Sequence, residues 1–252
     1  MSESVRSFER GLRVIRSFAH GSQLTLADVA RATDLNRATA RRLLLTLEEL
    51  GYVRRVGDRF ALTPRVLDLG YAYLSSFEVP DLALPYLERL SEEVHEASSV
   101  GVLDGTEITY VARVPANRVM TVSIGLGTRF PAFRTSLGRA LLAALDDEEV
   151  AAIWERSDRS HPTPRTVTRL EDLLERLREV RERGYALVDQ ELELGVRSIA
   201  APLHDAGGRT VAAINISSHT SRTSKAELQQ RFVPALLRAA RDIDHALANR
   251  PS

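Results

Sequence analysis

The sequence contains no cysteine, which excludes disulfide bridges, a thiol nucleophile and any Cys-ligated zinc or iron centre. It has no surplus charge: 34 basic residues balance 34 acidic ones, an argument against a protein that coats nucleic acid indiscriminately. Lysine is nearly missing, Lys225 being the only one, so almost all positive charge is arginine. No apolar run approaches the length of a membrane span, and MSESVRSFER lacks the hydrophobic stretch of a secretion signal, so a cytoplasmic location without membrane contact is expected. Catalytic signatures are absent as well. There is no Gly-x-Ser-x-Gly elbow and no Gly-rich phosphate loop, and Gly125-Leu126-Gly127 is too short for a dinucleotide site. His20, His95, His161, His204, His219 and His245 are scattered without ligand spacing. Neither an enzyme nor a metal or organic cofactor is expected.

What is present suffices for two compact domains, since 252 residues of which 44% are hydrophobic can bury a proper core in each. The balanced charge hides an asymmetry: residues 1 to 60 carry eleven positive and seven negative side chains, residues 81 to 252 carry 22 and 25. The basic excess falls where the most informative stretch lies, LTLADVARATDLNRATARRLLLTLEELG at residues 24 to 51. Leu26, Val29 and Ala30 form one apolar face of a helix that Thr25 is placed to cap. Asp34-Leu35-Asn36 breaks the pattern, because Asp and Asn side chains compete for nearby backbone groups, and Asn36 is a good cap for a second helix. On that helix a turn of about 100 degrees per residue gathers Ala40, Leu43, Leu47 and Leu50 on one side and Arg37, Ala38, Arg41 and Arg42 opposite.

A helix that buries its leucine side must turn the other outward. Arginines around the short Ala38 fit a major groove, where guanidinium forks reach guanine edges or phosphates; the bland alternative is the solvated face of an ordinary amphipathic helix. The neighbouring segments favour the groove. Phe8, Leu12, Ile15 and Ala19 repeat at helical spacing and supply a third helix expected to cover the core of the pair. GYVRRVGDRFALT reads as two short strands around the Gly57-Asp58 turn, a hairpin that would set Arg54, Arg55 and Arg59 beside a duplex backbone. Helix, helix-turn-helix and basic hairpin are the order of a winged helix-turn-helix.

Here a family likeness becomes specific. Asn36-Arg37-Ala38-Thr39-Ala40-Arg41-Arg42-Leu43-Leu44, followed by the Leu-Glu-x-x-Gly-Tyr-Val run from Leu47 to Val53, resembles the recognition helix of IclR-type bacterial transcription regulators. The resemblance extends over the whole chain and implies binding to double-stranded operator DNA. Thr25, Asn36, Arg37, Ala38, Thr39, Arg41, Arg42, Arg54, Arg55 and Arg59 are the expected contact set. The expected division is a winged domain over residues 1 to 62, a linker helix over 63 to 79 opened by Pro64, and an effector domain over 80 to 252. Val66, Leu69, Tyr73 and Phe77 share one face of the linker, which packs either on a neighbouring subunit or domain or in local core.

From Pro80 onward DLALPYLERLSEEVHEA reads as a long helix, and SSVGVLD and TEITYVARV flank Asp104-Gly105 as a hairpin, with VMTVSIG as a third strand. Helices follow over TSLGRALLAAL, DDEEVAAIWERS and LEDLLERLREVRERG. Strands return with YALVDQEL, VRSIAAPLHD and RTVAAINISSH, and a helix from Lys225 to about Asn249 closes the chain. That order describes an α+β domain with a mainly antiparallel sheet.

Three of its segments carry the chemistry. Phe133 to Ala140 enters a helix whose free N–H groups and positive dipole end could seat a carboxylate, with Arg134 adding charge and Gly138 allowing close approach. The plain alternative is an N-cap by Thr135 or Ser136 and a packing role for Gly138. Asp189, Glu191 and Glu193 would share one strand face, a solvated edge in preference to a metal site. Asn215 and Ser217 point away from Ile214 and Ile216, and facing a closed pocket they would orient a small polar ligand.

The family likeness continues through these segments. It implies a GAF-like effector domain whose cavity is lined by Thr135, Ser136, Gly138, Asp189, Ser198, Asn215 and Ser217. FRTSLGR and VDQELELGVRSIA are similar to the branch that controls aromatic-acid catabolism through protocatechuate, 4-hydroxybenzoate and the β-ketoadipate pathway, although Asn215 stands where many relatives carry serine. The expectation is a homodimer, able to pair into a dimer of dimers, that binds a small aromatic or keto acid, reads a partly palindromic operator and contacts RNA polymerase. Two rivals stand beside it: a DNA-binding protein whose second domain only oligomerises, and an enzyme acting on a small acid.

Overall fold

The structure, a computed structural model, describes residues 5–74, 77–116 and 124–249. The chain forms two compact units, Met1–Ser76 and Phe77–Ser252.

The first unit runs α1 (Arg6–Ser17), β1 (Leu24–Thr25), α2 (Leu26–Thr33), α3 (Arg37–Glu49), β2 (Val53–Val56), β3 (Arg59–Leu62) and α4 (Leu67–Leu74). Thr25 starts α2 through a reciprocal capping box: its hydroxyl accepts from the Asp28 N–H at 3.2 Å, and its own N–H donates to the Asp28 carboxylate at 3.0 Å. Asp34 ends α2 in the left-handed region, φ 52°, and the Asn36 side chain accepts from the Thr39 N–H at 2.8 Å to open α3. The break between the helices is therefore made by the left-handed backbone of Asp34 and the capping side chain of Asn36. β3 lies between β1 and β2, all antiparallel, and Gly57 turns the hairpin at φ 62°.

Val14 of α1 and Phe18 of the 3-10 turn that follows it, Val29 and Ala30 of α2, and Ala40, Leu44 and Leu47 of α3 form the core with Val53 and Phe60 of the hairpin. This corrects two expected stripes. Phe8 and Leu12 are 69% and 43% exposed and Ala19 is exposed, while Leu43 is only half-buried and Leu50 is 51% exposed. The residues that are buried stand at i and i+4 along α1 and the turn that continues it, and at i, i+4 and i+7 on α3, spacings as helical as those they displace, so periodicity could not choose between the two faces. The displaced stripes meet each other instead. Phe8, Leu12, Ile15, Leu43, Leu50 and Leu69 line an apolar groove of about 560 Å³ on this unit.

The second unit continues with α5 (Val79–Val94), β4 (Ala97–Asp104), β5 (Glu107–Val114), β6 (Arg129–Pro131), α6 (Ser136–Leu142), α7 (Asp147–Arg156), α8 (Leu170–Arg183), β7 (Ala186–Asp189), β8 (Val196–His204) and β9 (Thr210–His219). The short α9 (Lys225–Glu227) passes through a π-helical turn over Leu228–Phe232 into α10 (Val233–Ala248). The six strands form one antiparallel sheet in the order β6-β5-β4-β9-β8-β7. The expected third strand, VMTVSIG, lies outside the described residues except for Ile124 and Gly125; the strand described after β5 is β6, which pairs Phe130 with Ile108. Strand alternation gives the sheet two apolar faces. Val100, Ile199, Ile214 and Ile216 pack with Leu87 of α5 and Leu236 of α10; Ile108, Ala186, Ala200 and Ala213 pack with Leu137 of α6, Trp154 of α7 and Leu177 of α8.

Candidate nucleic-acid face and ligand cavity

On α3 the side chains of Arg37, Ala38, Arg41 and Arg42 are exposed, and among the described residues none of the three arginines has an ion pair or a side-chain hydrogen bond. A guanidinium held on a capped helix without an internal partner offers all its donors to an outside acceptor. Thr39 is half-buried beside them, and the Asn36 side chain is occupied by the cap. Thr25 is occupied too: its hydroxyl also donates to Asp28 at 2.7 Å, and the hydrogen bonds from Thr25 hold the Asp28 carboxyl below its usual range. On the hairpin Arg54 and Arg59 are exposed, whereas Arg55 pairs with Glu48 at 3.2 Å and lies over the Phe60 ring at 5.3 Å.

The second unit contains a cavity of about 310 Å³ on the side of the sheet that carries α6. Tyr110, Arg113, Ser198, Asn215 and Ser217 come to it from the central strands, Arg134, Thr135 and Ser136 from the entry to α6, and Phe130, Val188, Leu192 and Leu194 complete apolar walls. Asn215 donates to the Ser217 hydroxyl at 3.2 Å. Three of the lining side chains keep a buried polar atom with no partner, Arg134 Nε, Ser136 Oγ and Asn215 Oδ1. Each such orphan costs about 1–3 kcal/mol in an empty site, and a ligand that satisfies it recovers that cost. The rest of Arg134 is fixed, its terminal nitrogens donating to the Asp158 carbonyl at 2.9 Å and the Ser160 hydroxyl at 3.1 Å. Burial lowers the pKa of Arg113 from its usual value and pushes Tyr110 up to about 12, so the phenol stays neutral.

Two family models match the chain, the IclR helix-turn-helix domain over residues 7–57 and the bacterial transcriptional regulator IclR C-terminal over residues 71–245. The chain belongs to the IclR family of transcriptional regulators. The Pca regulon regulatory protein of Pseudomonas putida is 44% identical over 243 residues, covering 96% of this chain and 84% of that protein. The crystal structure of a transcriptional regulator from Rhodococcus sp. RHA1 is 54% identical with a TM-score of 0.86, covering 97% and 99% of the two chains. A double mutant of the PobR transcription factor inducer-binding domain from Acinetobacter, solved with 3-hydroxybenzoic acid, is 36% identical with a TM-score of 0.61, over 66% of this chain and 97% of that one.

Of the ligand residues anticipated for this IclR-family chain, Arg134, Thr135, Ser136, Ser198, Asn215 and Ser217 converge on the cavity, and Gly138 and Asp189 do not line it. Gly138 answers a packing need, because a Cβ there would come within 2.0 Å of the Ala132 carbonyl oxygen. Thr135 caps α6, accepting from the Gly138 N–H at 2.9 Å. Asp189 faces the other side of β7. Burial pushes its carboxyl up, but hydrogen bonds from Arg197, Gln190 and Lys225 outweigh that and hold it below the usual range. The expected acidic strand face is not formed, since β7 ends at Asp189 and Gln190 and Gly195, at φ 64° and 84°, fold the segment between them into a loop. Glu191 then makes a buried bidentate pair with Arg139, while Glu193 reaches the ligand cavity. Among the described residues no group of three His, Asp or Glu side chains is placed to hold a metal. Sequence reasoning passed over Tyr110 and Arg113, although a lone arginine in the apolar run ITYVARV was a usable signal.

Proposed function

We propose that this chain is a homodimeric, operator-binding regulator of aromatic-acid breakdown genes, whose cavity in the second unit takes a hydroxylated aromatic or keto acid. The observation that carries the reading is the trio of orphaned polar atoms beside that cavity. Arg134 Nε and the Ser136 hydroxyl lack acceptors, which a carboxylate supplies; Asn215 Oδ1 lacks a donor, which a ring hydroxyl supplies. About 310 Å³ with mostly apolar walls suits a single ring. The relatives point the same way, one regulating the Pca regulon and another solved with 3-hydroxybenzoic acid.

The exposed arginines of α3 would enter a major groove, with Arg54 and Arg59 on the flanking phosphates. A second copy would cover the apolar groove around Phe8, Leu12 and Leu50, because a contiguous patch of that kind is rarely left to water. The ligand then acts by binding one arrangement of the subunits more tightly, changing the spacing of the reading helices or their contact with polymerase, and DNA must alter ligand affinity by the same factor. The acid is bound and not consumed, and the setting is the cytoplasm.

Calorimetric titration of the full chain with 3-hydroxybenzoate, 4-hydroxybenzoate, protocatechuate and β-ketoadipate tests this directly. One of them should bind saturably, raise the Tm without being turned over, and change operator affinity in a mobility shift. Binding by none of the four, or conversion of the acid, would overturn the reading.

A further inference from the structure

A second cavity, of about 350 Å³, lies in the same unit at the edge strand of the sheet, between β7, α8 and the start of α9. Strand alternation separates it from the first. Val188 lines the first cavity, and its neighbours Leu187 and Asp189 line the second. None of the orphaned atoms described above belongs to residues of this second space, and its chemistry differs: it is strongly cationic.

The Arg139–Glu191 pair contributes no net charge, closed by hydrogen bonds of 2.8 and 2.6 Å with side chains 1% and 10% exposed. Around it two carboxylates serve five cations. Asp189 accepts from Arg197 at 2.9 Å, Arg165 at 3.2 Å and Lys225 at 3.3 Å. Glu179 accepts from Arg176 at 3.1 Å and from Arg183. Of these cations Arg197 does not line the cavity; the four that do, set against two carboxylates, leave two positive charges of the lining without a counter-charge. An ion-pair network whose only role is to hold the fold together tends to neutrality, because unmatched like charges at close range repel. Here the surplus is concentrated around a concave space. Arg165, Arg176, Arg183 and Lys225 are 43% to 69% exposed, so their long side chains can turn inward to a shared acceptor. Guanidinium forks bind phosphate and carboxylate oxygens two at a time, and a single negative charge would leave half of the surplus unmatched.

We propose that this cavity is a second ligand site, for a small oxyanion carrying two or more negative charges, either phosphate-bearing or polycarboxylic. It does not depend on what the first cavity binds.

The test is titration calorimetry on the full chain at fixed ionic strength, with pyrophosphate as the phosphate probe and tricarballylate as the carboxylate probe. At least one should bind saturably, one per chain, and which of them does so assigns the source of the negative charge. The double variant Arg176→Gln with Lys225→Gln should weaken that binding at least about tenfold while leaving the Tm unchanged, both side chains being on the mouth of the cavity. Asn215→Leu, in the first cavity, should leave it intact, and 3-hydroxybenzoate should not displace it. Absence of saturable binding with both probes, equal affinity in the double variant, or displacement by 3-hydroxybenzoate would overturn the proposal. The double variant reads the second cavity alone, so the proposal stands or falls even if no aromatic acid occupies the first.

Discussion

Arg37, Arg41 and Arg42 stand exposed on α3 of the first unit with no acidic partner among the described residues, whereas Arg139, Arg197 and Arg222 of the second are locked on Glu191 at 2.6 Å, Asp189 at 2.9 Å and Glu96 at 3.0 Å. The side chain is the same, and the difference lies in what it would have to give up. Where an internal carboxylate has one cation of its own, as Glu191 and Glu96 have, the guanidinium must break that pair before it can hold anything else, and if buried it leaves an uncompensated charge behind. An unpartnered one on a rigid helix loses only hydration and some rotamer freedom. The first arrangement builds architecture; the second is available to a polyanion.

The contrast can be broken most severely at Glu191. Glu191→Ala strands the Arg139 guanidinium, 1% exposed, beside the α6 entry. The expected loss is about 3–5 kcal/mol of stability. For a unit of this size that is a fall in Tm on the order of 10 °C by scanning calorimetry. Arg41→Ala, run in parallel, should leave the Tm where it was. A loss below about 1 kcal/mol for Glu191→Ala would mean that Arg139 finds water or another acceptor, and the distinction between the two kinds of arginine would lose its structural half.

Next in size is the complementary experiment. Arg41→Ala or Arg42→Ala should weaken operator binding by about 1–3 kcal/mol, a factor of roughly ten or more, and leave aromatic-acid affinity untouched. Mobility shifts on operator and random duplex separate loss of sequence reading from loss of general attraction. Unchanged affinity in both variants would remove α3 from the interface.

How far these assignments could be read from the chain varies with the kind of signal. The start of α2 and the α2–α3 junction were legible because Thr25 and Asn36 each cap a backbone N–H three residues on, and Asp34 takes a left-handed conformation that Asp tolerates. The arginine face of α3 was legible because charge has to remain at the surface wherever the helix packs. Which leucines go inside was not: Leu43 and Leu44 differ by one position, and the choice is made by what α1 and the hairpin present to them. In the second unit the alternation of Ile214, Asn215, Ile216 and Ser217 puts the two polar residues on the face that lines the cavity, because period two survives in a regular strand. Extending that rule to Asp189, Glu191 and Glu193 failed where the strand stopped. The positive φ of Gln190 is not a glycine's, and nothing local announces it. Gly138 was ambiguous for a different reason. Its need comes from Ala132, six residues away across a turn, and a close approach to backbone looks in sequence like a close approach to a ligand.

On the hairpin the same contrast recurs within a single strand, so smaller effects should follow it. Arg54→Ala should weaken binding to all duplexes alike and reduce the salt slope by about one. Arg55→Ala should do less, since that guanidinium is already shared between Glu48 and the Phe60 ring. Equal slopes for the two variants would show that internal pairing at the surface does not withhold an arginine from DNA.

The smallest expected effect concerns pH, and it separates charge from packing at Asp189. Burial pushes this carboxyl up, but Arg197, Gln190 and Lys225 together hold it below its ordinary value of 3.8. A carboxyl depressed by folding contributes its full share of stability above the unfolded value and loses it as the pH falls through the folded one. The gap in Tm between the wild type and Asp189→Asn should therefore be flat from about pH 7 to about pH 5 and close below about pH 4. It will be modest, because Arg165 and Lys225 are 53% and 69% exposed and water screens their share of the attraction. Arg41→Ala should show no gap that varies over this range, there being no carboxylate on it to protonate. If the Asp189→Asn gap persists undiminished in acid, Asp189 holds its neighbours by hydrogen-bond geometry alone.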